Sequence, residues 1–192
     1  MSVEVTPLVI GAFFLAALLK GVTGMGFSTV CLGLIATFID IKLAIPLVIF
    51  PSLSSNVLVM MDAGHFGEAL KRFWLLFLCA LPGLVLGLFL LDAVSNDLAR
   101  LALGVVLFTY GFWSLAKAAP RLPSRLEPVL NAPVGFATGV VNGLTGSQVM
   151  PVLPYFVALR LDKDLFVQSI NISFTASSLV MLLGLGNLGL LS

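Results

Sequence analysis

Eight apolar runs parted by short polar stretches make up most of the chain: residues 8–19, 27–39, 43–61, 73–91, 98–116, 133–141, 149–159 and 165–183. None alternates apolar and polar positions with a period of two, so they predict helices rather than the strands of a β-barrel. A helix needs about 20 residues to cross hydrocarbon. The runs 43–61, 73–91, 98–116 and 165–183 reach that length. The other four are short and come as two pairs, each interrupted by glycine and polar residues.

The first interruption reads Lys20-Gly21-Val22-Thr23-Gly24-Met25-Gly26-Phe27-Ser28. The second reads Asn142-Gly143-Leu144-Thr145-Gly146-Ser147-Gln148-Val149-Met150, at an offset of 122 residues. The same offset sets Asp40 on Asp162, Leu43 on Leu165, Ile45 on Val167, and Ser54, Ser55 and Asn56 on Ala176, Ser177 and Ser178, which reads as an internal duplication. A turn inside hydrocarbon leaves backbone N–H and C=O groups that lipid cannot satisfy, so each break must face protein, water or a ligand. Glycine permits the turn, Thr23 and Thr145 are placed to cap the helix that follows, and an exposed helix N-terminus offers donors to an anion. Two breaks in corresponding positions of two halves point to a transporter's binding site.

Composition agrees with this pattern. The 192 residues are 59% hydrophobic and 10% charged, with mean hydropathy +1.13, too apolar for a soluble core and surface. The chain reads as an all-α integral membrane protein. A net charge of +1 gives nucleic-acid binding no electrostatic support. Cys31 and Cys79 lie in apolar runs without a CxxC or a neighbouring His, which predicts core packing, no metal site and no cofactor. Residues 1–7 carry Glu4 and no Lys or Arg, and no small-residue cleavage site follows, so they do not read as a removed signal peptide.

The positive-inside rule decides how the short pairs are threaded. If each pair is a hairpin, one face collects Lys71, Arg72, Lys117, Arg121, Arg125, Arg160 and Lys163, seven charges, against Lys42 and Arg100, two. If each pair is a single broken span, the split is five to four. The hairpin reading gives the stronger bias. It predicts an inverted-repeat helical bundle with a hairpin opening each half, an N-terminus outside and a linker inside. The corresponding domains are 1–116, a hairpin plus three spans; 117–132, a cytoplasmic linker; and 133–192, a hairpin plus one span. Counterparts of 73–116 do not appear before Ser192, so the second half reads as shortened: a natural short form, a piece of a longer product, or a half completed by homo-oligomerisation.

Gly21-Val22-Thr23-Gly24, Gly143-Leu144-Thr145-Gly146, the turn Ile39-Asp40-Ile41-Lys42 and Pro51-Ser52-Leu53-Ser54-Ser55-Asn56 together resemble the sulfite exporter TauE/SafE family over residues 11–183. The resemblance implies an inner-membrane, multi-pass carrier of small sulfur-containing anions such as sulfite or sulfoacetate, built from two related halves. Its departure from the family pattern is the shortened second half.

Lys20 is the one basic residue placed at membrane depth, where an ammonium costs about 2.5–3.5 kcal/mol unless solvated or paired. No acidic residue lies in a span to pair with it, so a substrate anion suits it, the alternative being that it snorkels to an interface. Thr23, Ser28, Thr145, Ser147 and Gln148 add hydroxyl and amide groups, Gly24 and Gly146 add backbone N–H groups, and Asn56 and Asn171 place polar atoms on the following spans. With Gly21, Asn142 and Gly143 these make one expected central site shared by the two breaks. Gly83 and Gly87 read as a packing face, Asp40 and Asp162 as caps, and His65 as solvated. No nucleotide-binding loop appears. The expected function is a secondary carrier or facilitator, not an enzyme, with the lipid bilayer and a small anion as partners; the alternatives are another small organic anion and a membrane-embedded scaffold subunit that needs a partner.

Overall fold

A computed structural model describes residues 5–116 and 121–187. Lys117 in the linker, Glu4 near the start and the last five residues of the apolar tail lie outside that range. The described residues form helices joined by short turns: α1 Val5–Thr23, α2 Phe27–Ile35, α3 Ile41–Ala63, α4 Phe66–Ala93, α5 Asn96–Leu115, a 3₁₀ turn Ser124–Leu126, α6 Glu127–Thr145, α7 Val152–Ala158 and α8 Lys163–Asn187. Five of them, α1, α3, α4, α5 and α8, are long and apolar enough to cross a membrane. This is an all-α membrane protein.

The 122-residue offset reappears in the helix limits. α1 and α6 end at 23 and 145, and α3 and α8 start at 41 and 163. Two limits differ from those the sequence predicts. α1 is continuous from Val5 to Thr23, so the first hairpin arm is roughly 28 Å long at the usual helical rise and is not a short run 8–19. Thr6 and Pro7 fit the first turn of a helix, where missing or unpaired N–H groups cost nothing extra. α6 likewise begins at Glu127, ahead of 133, with an acidic residue in its first turn and Pro128 beside it.

α4 and α6 make the closest helix contact. Gly83 and Gly87 of α4 face Gly135, Gly139 and Gly143 of α6, and a Cβ built at any of the five would run into backbone atoms of the opposite helix. Small residues four apart let two backbones approach this closely, and in lipid such van der Waals contact is what holds helices together. Gly83 and Gly87 therefore pack within the bundle. Gly143 belongs to the same seam.

The bundle has two apolar cores. One joins Val9, Ala12 and Ala16 of α1 to α2, to the first half of α3 and to Leu84, Leu88 and Leu91 of α4. The other gathers Phe73, Leu76 and Phe77 of α4 with Phe156 of α7 and Ile170 of α8. Large side chains on the outside, such as Phe14, Phe108 and Leu115, form the apolar jacket that hydrocarbon requires.

Charges gather at the two ends. At one end Arg100 lies 3.8 Å from Asp40 and donates to Ile39 O at 3.3 Å, while Lys42 donates to Asp92 O at 3.2 Å. Asp40 occupies the cap position of α3, but its side chain accepts no bond from the first turn; Arg100 takes that carboxylate instead. At the other end Arg72 holds Glu127 through two bonds of 2.6 and 2.8 Å, and Tyr155 Oη donates to Glu127 O and to Asn131 Oδ1. Leu122 N donates to Ala158 O at 2.9 Å, so α7 ends beside the segment that precedes α6. α6 and α7 thus leave and return at one end of the bundle.

The seam makes a direct prediction. Gly139→Leu should destabilise the protein by about 3 kcal/mol or more, because the facing backbone has nowhere to move, whereas Gly104→Leu, with nothing within 4 Å, should be nearly neutral. Thermal unfolding in detergent reads the difference, and equal effects would mean that the seam does not hold α4 to α6.

Candidate functional site

Both breaks are built the same way. Gly24 N donates to Lys20 O and Gly146 N to Asn142 O, each at 2.7 Å, with φ of 75° and 70°. These left-handed C-caps need glycine, since a Cβ is disfavoured there. Each threonine then bridges the break it precedes. Thr23 Oγ1 donates to Leu19 O at 2.9 Å and accepts from Met25 N at 3.4 Å; Thr145 Oγ1 donates to Val141 O at 2.7 Å and accepts from Ser147 N at 3.2 Å. The threonines therefore close the end of the preceding helix and do not cap the next one. α2 starts instead at Gly26, without a side-chain cap. A helix ending in lipid has orphan carbonyls within reach of a threonine on its last turn.

Lys20 is 4% exposed, enclosed by protein. Its ammonium donates to Asn56 Oδ1 on α3. Among the described residues no carboxylate lies within ion-pair distance of it. Lys20, Gly21, Thr23 and Gly24 line a cavity of about 720 Å³ that also takes in Pro51 and Ser55 of α3. At its rim stand Asp62, Lys163 and Asp164, all exposed. In the sequence these three are only charges that end or start a span, and their joint position depends on α3 and α8 running side by side. Asn171 ties α8 to the first break, donating to Gly24 O at 3.1 Å and to Val167 O at 2.8 Å.

The second break lies elsewhere. Gly146 and Gln148, together with Ser28, line a separate small void of about 10 Å³. Ser28 bonds Ser52 Oγ at 2.6 Å, and Gln148 Nε2 donates to Ser178 at 3.4 Å. The two breaks thus do not share one central cavity. The void and the cavity adjoin along α2 and α3, the void taking Ser28 and Ile49 and the cavity Phe27 and Pro51. Asn142 and Ser147 are fully buried beside the second break and line neither space.

Polar atoms in this interior lack partners. Asn56 Nδ2, both amide atoms of Asn142, Ser147 Oγ, Gln148 Oε1, both amide atoms of Gln168, Ser169 Oγ and Asn171 Oδ1 are buried without a protein hydrogen bond. Buried polar groups are normally satisfied, so such a concentration marks a region built to receive other polar atoms. Ser169, which the sequence does not single out, belongs to it, and so does Gln168, whose place near the start of the last apolar run reads in the sequence as interfacial but which is fully buried.

Helix breaks at matching positions of two halves, one of them beside a buried cation, in a bundle clothed in apolar side chains, are the features of a membrane transporter. The chain belongs to the sulfite exporter TauE/SafE family, whose model matches residues 9–192. That family is one of transporters of sulfur-containing anions such as sulfite. No curated protein and no solved structure matches the chain.

The two threonines predict unequal losses. Thr145 is buried and Thr23 exposed, so Thr145→Ala strands the Ser147 N–H away from water and should cost about 1–3 kcal/mol, against a few tenths for Thr23→Ala. Detergent unfolding of both variants measures it.

Proposed function

We propose that this chain is a secondary carrier or facilitator that binds a small sulfur oxyanion, such as sulfite or sulfoacetate, at Lys20 in the open cavity. The observation that carries this reading is a buried ammonium held only by a neutral amide. Asn56 satisfies one N–H of Lys20 but none of its charge, and an oxyanion reaching it through the cavity would supply both. Thr23, Phe27 at the start of α2 and Ser55 of α3 line the cavity around it. Asp62 and Asp164 against Lys163 leave the rim at −1, and Lys20 deeper in brings the cavity to neutral. The carboxylates stand at helix ends and not along the spans, which favours facilitation or coupling to an ion other than a proton.

The same reading makes the two hairpins an inverted pair. Arg72, Arg121, Arg125, Arg160 and Lys163 would lie on the cytoplasmic face with the cavity mouth, and Lys42 and Arg100 outside with the N-terminus, in the inner membrane. Another small organic anion would use the same lysine, and a titration with both kinds separates it. A scaffold subunit would have no use for a buried unpaired ammonium.

A thermal-shift titration of the detergent-purified protein tests the site, because a ligand of the folded state raises apparent stability. Sulfite or sulfoacetate should stabilise the protein where chloride and acetate do not. Lys20→Ala should lose at least tenfold in affinity, about 1.4 kcal/mol, and Asp40→Ala should lose none. Equal effects of the two substitutions would end the proposal. Topology is tested separately: cysteines at Ser95 and Ser124 should react with an impermeant thiol reagent from opposite sides.

A further inference from the structure

The two breaks are equivalent in sequence and unequal in packing. A Cβ at Gly24 would meet Val167 at 3.5 Å, an ordinary contact beside an open cavity. A Cβ at Gly146 would fall 2.7 Å from Leu32 Cδ1 and 2.9 Å from Ile45 Cγ1. Ile45 and Val167 are themselves 122 residues apart. Each break therefore rests on the equivalent residue of the other half's long helix, loosely in one case and tightly in the other.

The void behind Gly146 has room for about one water. Ser28, Gln148 and Ser178 face it from the polar side, and Ile45, Val48 and Met181 close it. Gln148 Oε1 and the neighbouring Ser147 Oγ are buried without partners. No residue of α4 lines the void, so the seam that buries α6 does not explain its closure; α2, α3 and α8 do. A polar line also reaches it from the cavity. Asn56, which holds Lys20, lies one turn from Ser52 on α3, and Ser52 accepts from Ser28 at the void's edge.

We infer that the void is the collapsed counterpart of the open cavity and a second station for the same anion. The oxyanion moves from Lys20 and Asn56 along Ser52 and Ser28 to Gln148 and Ser178, and leaves when the Gly146 break withdraws from Leu32 and Ile45 while the Gly24 break closes on Val167. The observed state is then one of two, related by exchanging the packing of the two breaks, and Leu32 and Ile45 are its closed gate. This inference rests on the carrier reading.

The test uses Ser178→Cys with Cys31→Ala and Cys79→Ala, reconstituted in liposomes and labelled with an impermeant methanethiosulfonate; Asp62→Cys identifies the side of the cavity mouth. Ser178→Cys should label slowly. Adding Ile45→Ala should raise its labelling about tenfold from the side opposite Asp62, and Gly146→Ala should act alike. Gly24→Ala has the same positive φ without the clash and should not. Ile45→Ala serves if Gly146→Ala does not fold. Labelling unchanged within twofold in both gate variants, or increased only from the Asp62 side, overturns the inference even while sulfoacetate still stabilises the protein through Lys20. Increased labelling from the far side with no Lys20-dependent stabilisation would keep the gate and reject the anion.

Discussion

Backbone at membrane depth has no water to turn to, and the two helix breaks are where the chain must meet that constraint with its own side chains. A left-handed glycine returns one N–H to the helix it ends, and the threonine before it takes the next free N–H while bonding a carbonyl one turn back. Everything else follows from having made this turn cheaply. Each helix can stop inside the bundle, a short helix can leave in a new direction, and polar residues at the turn come to face protein instead of lipid. The α4–α6 glycine seam then fixes the second hairpin against the first half, so that its break is buried while the first lies beside an open cavity.

Those breaks are legible in the sequence because the constraint is local: glycine, threonine and a polar residue inside an apolar run are what a helix needs in order to stop there. The duplication is legible for the same reason, and the helix limits at 23 and 145 and at 41 and 163 repeat its offset. What stays hidden depends on long-range geometry. The residues expected at one site line two adjoining spaces because α3 presents Ile45 to one break and Asn56 to the other, and no local pattern reports which turn of a helix meets which neighbour. Gly135, Gly139 and Gly143 are readable as a stripe of small residues, yet Gly143 also adjoins a break, and motif and seam compete for the same residue. Asp62, Lys163 and Asp164 reach one rim only because α3 ends where α8 begins.

The two best-held cations show how differently this fold treats charge. Arg72 makes two short bonds to Glu127, at 37% and 12% side-chain exposure, and Tyr155 bonds the Glu127 carbonyl, so the guanidinium, the carboxylate and the start of α6 lock together. Removing either member would strand the other, which is how such pairs act as structural fixtures. Lys20 is more deeply buried and has only an amide oxygen. An amide orients an ammonium without neutralising it. The arrangement is poor for stability, and it leaves the charge available to something that arrives through the cavity.

A carrier must also let go, and the same asymmetry limits how tightly it holds. A dianion clasped by several arginines would gain much on binding and would rarely leave; a single ammonium shared with Asn56 makes an oxyanion compete with an existing hydrogen bond, so only the difference between the two partners appears as affinity. Beyond Lys20 the polar line through Ser52, Ser28, Gln148 and Ser178 carries no formal charge. An anion moving along it exchanges one set of neutral donors for another, with no step so favourable that it becomes a trap. In the proposed carrier one buried cation draws the anion in, and the uncharged polar line beyond it keeps the binding reversible.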